Sequence, residues 1–248
     1  MAYVAVSALS HPGLVRTRNE DSLVAGPWTL CATVTENPQT LVFPLGTPLV
    51  VAVADGLGGQ PGGEVASALV VQRLAATGPR LAGEDDVREA LHACNRQVYA
   101  TARGGGDVLA TMGTTVAGAV VQPESLLAFN VGDSRVFAAP RDGVVQLSVD
   151  DSPPRAPGQR TTSLVTQALG GTPEYRAVTP HVTATAVAPG DRYLVCTDGL
   201  TDPLPNDVLD GVLSEYDDGR AVFELWKAAI AAGGPDNITL AVVRVVDG

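Results

Sequence analysis

"VADGLGGQPGGE", residues 53–64, ends an apolar strand that begins at Leu49, and it puts Asp55 at the strand's tip with five glycines in the next eight residues. A charge there, followed by so much backbone freedom, has three readings. Asp-Gly can simply mark a turn, as Asp142-Gly143 does between two other strand-like runs. Strand, glycines, helix is also the order of a dinucleotide loop. Pro61, however, stands at the third glycine position, and Asp55 would repel a pyrophosphate. The third reading is a hard-cation site. Mg²⁺ and Mn²⁺ take oxygen ligands, so Asp55 offers its carboxylate and Gly56 its carbonyl, which glycine lets a metal approach.

One such site needs several acids. "LAFNVGDSRVF" ends a strand at Asp133, "YLVCTDGLTD" ends one at Asp198, and "GGPDNITL" sets Asp236 ahead of the last strand. "RTRNED" adds Glu20 and Asp21 behind a basic pair. Each alone is an ordinary solvated turn. Strand ends in a sheet fold lie side by side, so together these acids can converge, and bound cations would remove their mutual repulsion. On a strand Arg16, Arg18 and Glu20 would share one face. Arg16 then reads either as a phosphate-binding fork or as a surface partner of Glu20 or Asp21.

The rest of the chain sets the frame. It has 248 residues, 45% of them hydrophobic, and a formal net charge of −11. That is enough for a sizeable core, and the acidic balance argues against nucleic acid as a partner. No apolar run reaches the length of a membrane span and the start is not a convincing signal peptide, so the expected location is the cytoplasm. Cys31, Cys94 and Cys196 are scattered and read as reduced thiols, while His11, His92 and His181 stand alone.

Apolar periodicity predicts helices at 63–76, 85–102, 206–214 and 219–232. Strands are predicted at 2–9, 49–54, 182–188, 192–197 and in "NITLAVVRVV". The runs 114–121, 125–131 and 134–139, followed by "VVQLS", read as a meander. Residues 26–48 read as a hairpin or irregular excursion, and 150–163 as a loop. Strands in runs and helices in pairs predict an α+β fold.

"GLVRTRNEDS", "VVAVADGLGG", "GTT", "FNVGDSRVF", "LVCTDGLTD" and "GGPDNITL" occur in this order. Together they resemble the protein phosphatase 2C family of metal-dependent serine/threonine phosphatases, in its compact bacterial form, over essentially the whole chain. The resemblance implies a four-layer α/β/β/α sandwich with two central antiparallel sheets, and a single catalytic domain over 1–248. It implies two Mn²⁺ or Mg²⁺ ions. Asp55 would bridge both, Glu20 and the Gly56 carbonyl would hold one, Asp198 and Asp236 the other, and Asp21 would assist through water. Asp133 with Asp198 would take a third, weaker ion, and Arg16 would clamp the phosphate. A water bridging the ions would attack phosphorus in line, with no phosphoenzyme. A phosphorylated protein substrate, a cognate bacterial Ser/Thr kinase and a monomeric state are implied. The alternatives are a catalytically weak regulatory module and a hydrolase of small phosphoesters.

The sequence departs from the family pattern in three places. Leu57 stands where many eukaryotic members carry a histidine, which leaves a metal-bound water as the leaving-group acid. Asp151 stands where bacterial members commonly have histidine, and the flap at about 150–170 is shortened.

Overall fold

Every residue of the strand that leads to Asp55 is buried, on both faces, because the strand lies in a sheet with a packed layer on each side. The computed structural model describes residues 2–57, 62–140, 142–153 and 164–247. The chain runs β1 (Tyr3–His11), β2 (Ser22–Ala25), β3 (Trp28–Cys31), β4 (Gln39–Pro44), β5 (Leu49–Ala54), α1 (Gly63–Thr77) and α2 (Glu84–Gly104). It continues through β6 (Gly113–Thr114), β7 (Val116–Val121), β8 (Ser125–Val131), β9 (Arg135–Ala138), β10 (Val145–Gln146), β11 (Leu169–Gly170) and β12 (His181–Ala186). It closes with β13 (Arg192–Cys196), α3 (Asp198–Thr201), α4 (Asn206–Glu215), α5 (Asp218–Ala231) and β14 (Ile238–Val246).

Two six-stranded antiparallel sheets result, ordered β10-β9-β13-β14-β1-β4 and β12-β8-β7-β5-β2-β3, with a small β6–β11 pair beside them. Alternation along each strand divides its side chains between two layers. Val51 and Val53 of β5 meet Val6, Val195 and Val243 of the opposite sheet. Val50, Ala52 and Ala54 face outward, onto Val70 and Leu74 of α1 and Leu91 and Val98 of α2. On the far side, Leu194, Leu240 and Val242 pack on Leu209 of α4 and on Val222, Leu225 and Ala229 of α5. These three cores separate four layers, α/β/β/α.

Local chemistry starts the helices where the periodicity places them. Asp86 accepts hydrogen bonds from the Ala82 and Gly83 amides at 3.1 and 3.0 Å, ahead of α2. Asp217 accepts from the Arg220 amide at 2.9 Å and caps α5.

The structure corrects three strand readings. The excursion at 26–48 is no hairpin, since β3 pairs with β2 and β4 pairs with β1 in the other sheet. The meander breaks after β8, which pairs with β7 and β12, whereas β9 pairs with β13 and β10. Between β8 and β9 the chain crosses from sheet to sheet through Gly132, at φ +107°. Residues 12–21 are a loop rather than a strand, so Arg16, Arg18 and Glu20 share no strand face. Gly58, Gly59 and Pro61, and the stretch 154–163 of the flap, lie outside the described residues.

Candidate active site

The two sheets end together at one edge of the sandwich, and the predicted acids gather there. β5 ends one residue before Asp55, β13 two before Asp198, and β14 begins two after Asp236. Asp133 sits in the crossing between sheets, and Glu20 and Asp21 end the loop that carries the chain from β1 to β2. Arg16, Glu20, Asp55, Gly56, Asp133, Asp198 and Asp236 all line one pocket of about 280 Å³. Asp21 does not reach its wall; it is buried beneath, with Oδ2 accepting from the Thr197 hydroxyl at 3.0 Å.

So many carboxyl groups at close quarters raise one another's proton affinity. Burial first, then Asp21, Asp198, Asp236 and Asp133, hold Asp55 well above the usual carboxylate range. Burial and the neighbouring Asp198 push Asp21 and Asp133 up to about 7. Asp198 is raised by burial and by Asp236. Glu20 is raised by burial and by Glu64, with Arg16 opposing.

The backbone of Asp55 is locked by the "GTT" segment. Its carbonyl accepts from the Thr115 amide at 2.9 Å and from the Thr114 hydroxyl at 2.8 Å. The glycines after it serve packing as well as ligand access. A Cβ on Gly56 would lie 2.6 Å from the Gly63 carbonyl oxygen, and one on Gly63 would lie 2.7 Å from Glu20 Oε2. The start of α1 is thereby pressed against the turn, with the Glu20 carboxylate seated over Gly63.

Arg16 donates through Nη2 to Asp236 Oδ2 at 2.7 Å, an ion pair that raises its own pKa. Its partner is thus neither Glu20 nor Asp21, the two near neighbours that spacing offers. Asn237, which sequence reasoning passed over, fixes this loop. Its Oδ1 accepts from the Glu20 amide at 2.8 Å, and its Nδ2 donates to the carbonyls of Pro12 and Arg18 at 3.1 and 2.8 Å. The signal available was the Asp-Asn pair at a strand start.

Leu57 lines the pocket, with its side chain against Gly113 and Gly171. Asp151 works away from the pocket wall. Its Oδ2 accepts from the Gly132 amide and from Gln167 Nε2, both at 2.9 Å, and its Oδ1 lies 2.9 Å from His181 Nε2. His181 is therefore not a lone histidine. The three cysteines are free thiols, and burial pushes Cys94 and Cys196 up to about 12.

The donor set suits hard divalent cations. It is all oxygen, it carries an excess of negative charge, and the buried Oδ1 atoms of Asp21 and Asp198 have no hydrogen-bond partner. Among the described residues, no three His, Cys, Asp or Glu side chains are already gathered into a set that could hold an ion. The carboxylates line the pocket's wall.

The fold is a two-sheet sandwich with an oxygen-lined anionic pocket at its strand ends and an arginine on the pocket's wall. The protein phosphatase 2C profile matches residues 42–232, and the chain belongs to that family. It is 33% identical over 257 residues to the serine/threonine protein phosphatase PstP of Mycobacterium tuberculosis, covering 97% of this chain and 45% of that one. The chain thus spans about half the length of that curated relative. The serine/threonine phosphatase stp of Listeria welshimeri is 29% identical over 221 residues, covering 79% of this chain and 84% of its own. The crystal structure of the PstP catalytic domain in complex with two manganese ions superposes with a TM-score of 0.81. It is 29% identical and covers 100% of both chains. Among the described residues, no helix is long and apolar enough to cross a membrane.

Proposed function

We propose that this chain is a metal-dependent phosphoserine/phosphothreonine protein phosphatase, with residues 1–248 acting as one catalytic domain. The observation that carries the reading is the convergence of acids from both sheets on one pocket with Arg16 on its wall. Family membership and the two manganese ions of the PstP catalytic domain support it. Asp55, Glu20, the Gly56 carbonyl, Asp198 and Asp236 would hold the two ions, Asp21 would assist from beneath through water, and Asp133 with Asp198 would offer a third, weaker site. Two Mn²⁺ or Mg²⁺ ions held there supply charge neutralisation and an activated water.

The chain's own residues bind and orient. Arg16 presents a planar fork of donors to the phosphate oxygens. Asn237 holds the loop that carries Arg16, through the carbonyls of Pro12 and Arg18. Leu57 offers no proton, so the leaving alkoxide takes its proton from water. No serine or cysteine nucleophile lines the pocket among the described residues, in keeping with direct attack by water. A phosphoprotein substrate, an opposing Ser/Thr kinase, a monomeric state and a cytoplasmic setting complete the proposal.

The test is phosphate release from a phosphothreonine peptide by metal-stripped protein, with and without Mn²⁺, beside Asp55→Asn. Manganese-dependent release that falls at least about a hundredfold in the variant is expected, as for removal of a main electrostatic contributor. A folded protein that releases no phosphate at any metal level is a regulatory module instead.

A further inference from the structure

Leu14 and Val15 expose 64% and 67% of their surface immediately before Arg16. Slack backbone does not explain this. The Leu14 amide donates to the Gly234 carbonyl at 2.8 Å, and Asn237 Nδ2 holds the carbonyls of Pro12 and Arg18 on either side. Gly13, at φ +76°, brings the chain against the carbonyls of Asp236 and Gly234. The loop is fastened along its length and still turns two large apolar side chains to water.

A second exposed apolar side chain adjoins a pocket-lining residue. Val165 lines the pocket and Leu164 beside it is 65% exposed. This segment is also tied down. The Thr166 amide donates to the Asp151 carbonyl at 2.7 Å, and Gln167 Nε2 donates to the Asp151 carboxylate. Among the described residues, the positively charged side chains that line the pocket are Arg16 and Arg18. Rigid, exposed apolar groups bordering a site mark contact surface, and surface held in place beforehand binds with less ordering cost.

We infer that these two exposed apolar segments are flanking subsites for an extended phosphorylated polypeptide whose residues beside the phosphoserine or phosphothreonine are apolar. The inference rests on the phosphatase reading of the pocket. The pocket's arginines complement the phosphate dianion, which fixes the phosphoresidue there. The chain before and after the phosphoresidue then runs over the surface beside the pocket, within reach of Leu14 and Val15, next to Arg16, and of Leu164, next to Val165.

The test uses the manganese-loaded chain and three substrates: a phosphothreonine peptide flanked by leucines, the same peptide flanked by serines, and phenyl phosphate. The leucine-flanked peptide is expected to show a KM about tenfold lower than the serine-flanked one, the scale of partly burying a leucine and a valine. In a Leu14→Ser, Val15→Ser double variant that preference shrinks to under about threefold. The ratio of kcat/KM for the leucine peptide to that for phenyl phosphate falls in parallel. An unchanged melting temperature shows that the variant is folded. Equal KM values for the two peptides, with phenyl phosphate still hydrolysed, overturn this inference and leave the phosphatase reading standing. A double variant that changes the oligomeric mass but not the peptide preference assigns that segment to a second copy of the chain and also overturns it. Failure of all three substrates removes the phosphatase reading itself.

Discussion

Asp55, Asp133, Asp198 and Asp236 were legible because each stands within two residues of a strand end, and strand ends at one sandwich edge can meet, whereas Glu20 arrives on the loop before β2. The residues that aim them were not. Asn237 acts on Pro12, Arg18 and Glu20, more than two hundred positions away, and no local pattern marks such a hub. The partner Arg16 has in this fold, Asp236, lies as far off in the chain, beyond the near neighbours Glu20 and Asp21 that spacing offers as the alternative to a phosphate. Asn237→Ala leaves the Glu20 amide and two carbonyls without their partner. A loss of about 2–3 kcal/mol in urea unfolding is expected, together with a several-fold rise in phosphopeptide KM as Arg16 loses its footing. Gly63→Ala sets a methyl 2.7 Å from Glu20 Oε2, the mobile end of a side chain, and 3.1 Å from the Gly56 carbonyl carbon, so the carboxylate moves most and the Gly56 turn shifts by a few tenths of an ångström. Calorimetric titration with Mn²⁺ should then show affinity weakened about tenfold, an expected loss of about 1.4 kcal/mol, with little change in melting temperature. Unaltered affinity would remove Glu20 from the ligand set.

At the scale of elements, helices were easier to read than sheets. The stripe Val87, Leu91, Cys94, Val98 and Ala102 of α2 is buried throughout, because one period of 3.6 residues fixes one face. Strand patterns fix a face but not a sheet. Both sheets bury alternate residues on both sides, so β8 and β9, three residues apart, look like neighbours and lie in different sheets. The one-turn helix α3 is too short for any period to show. Capping makes α5 a clean test of element stability, since Asp217 sits at its start and the pocket lies beyond its other end. Asp217→Ala is expected to cost about 1 kcal/mol, or about 2–4 °C in a domain of this size. Phosphatase activity at 25 °C should be unchanged.

For the whole molecule, the elevated carboxyl groups set how stability follows pH. Asp21 and Asp133, pushed up to about 7, keep their protons in the metal-free fold where the unfolded chain, titrating near 4, has lost them. Unfolding then releases protons, and stability falls as pH rises from about 4 to about 7 and levels above that. Scanning calorimetry of metal-stripped protein should show a higher melting temperature at pH 5.5 than at 7.5, with saturating Mn²⁺ raising it more at 7.5. A melting temperature that climbs with pH would mean that these groups are ionised in the fold.

The edge where the sheets end has a mechanical side. Asp55 belongs to one sheet, Asp198 and Asp236 to the other, and Glu20 and Asp133 to the loops that step between them. Among the described residues no backbone ladder joins the two sheets; apolar side chains fill the space between them, and such a layer resists pulling apart better than it resists sliding. An ion held by acids from both sides would be a rivet at one corner of this laminate, and sliding of one sheet over the other would have to open its coordination. Affinity for the ion and resistance to shear would then rise and fall together.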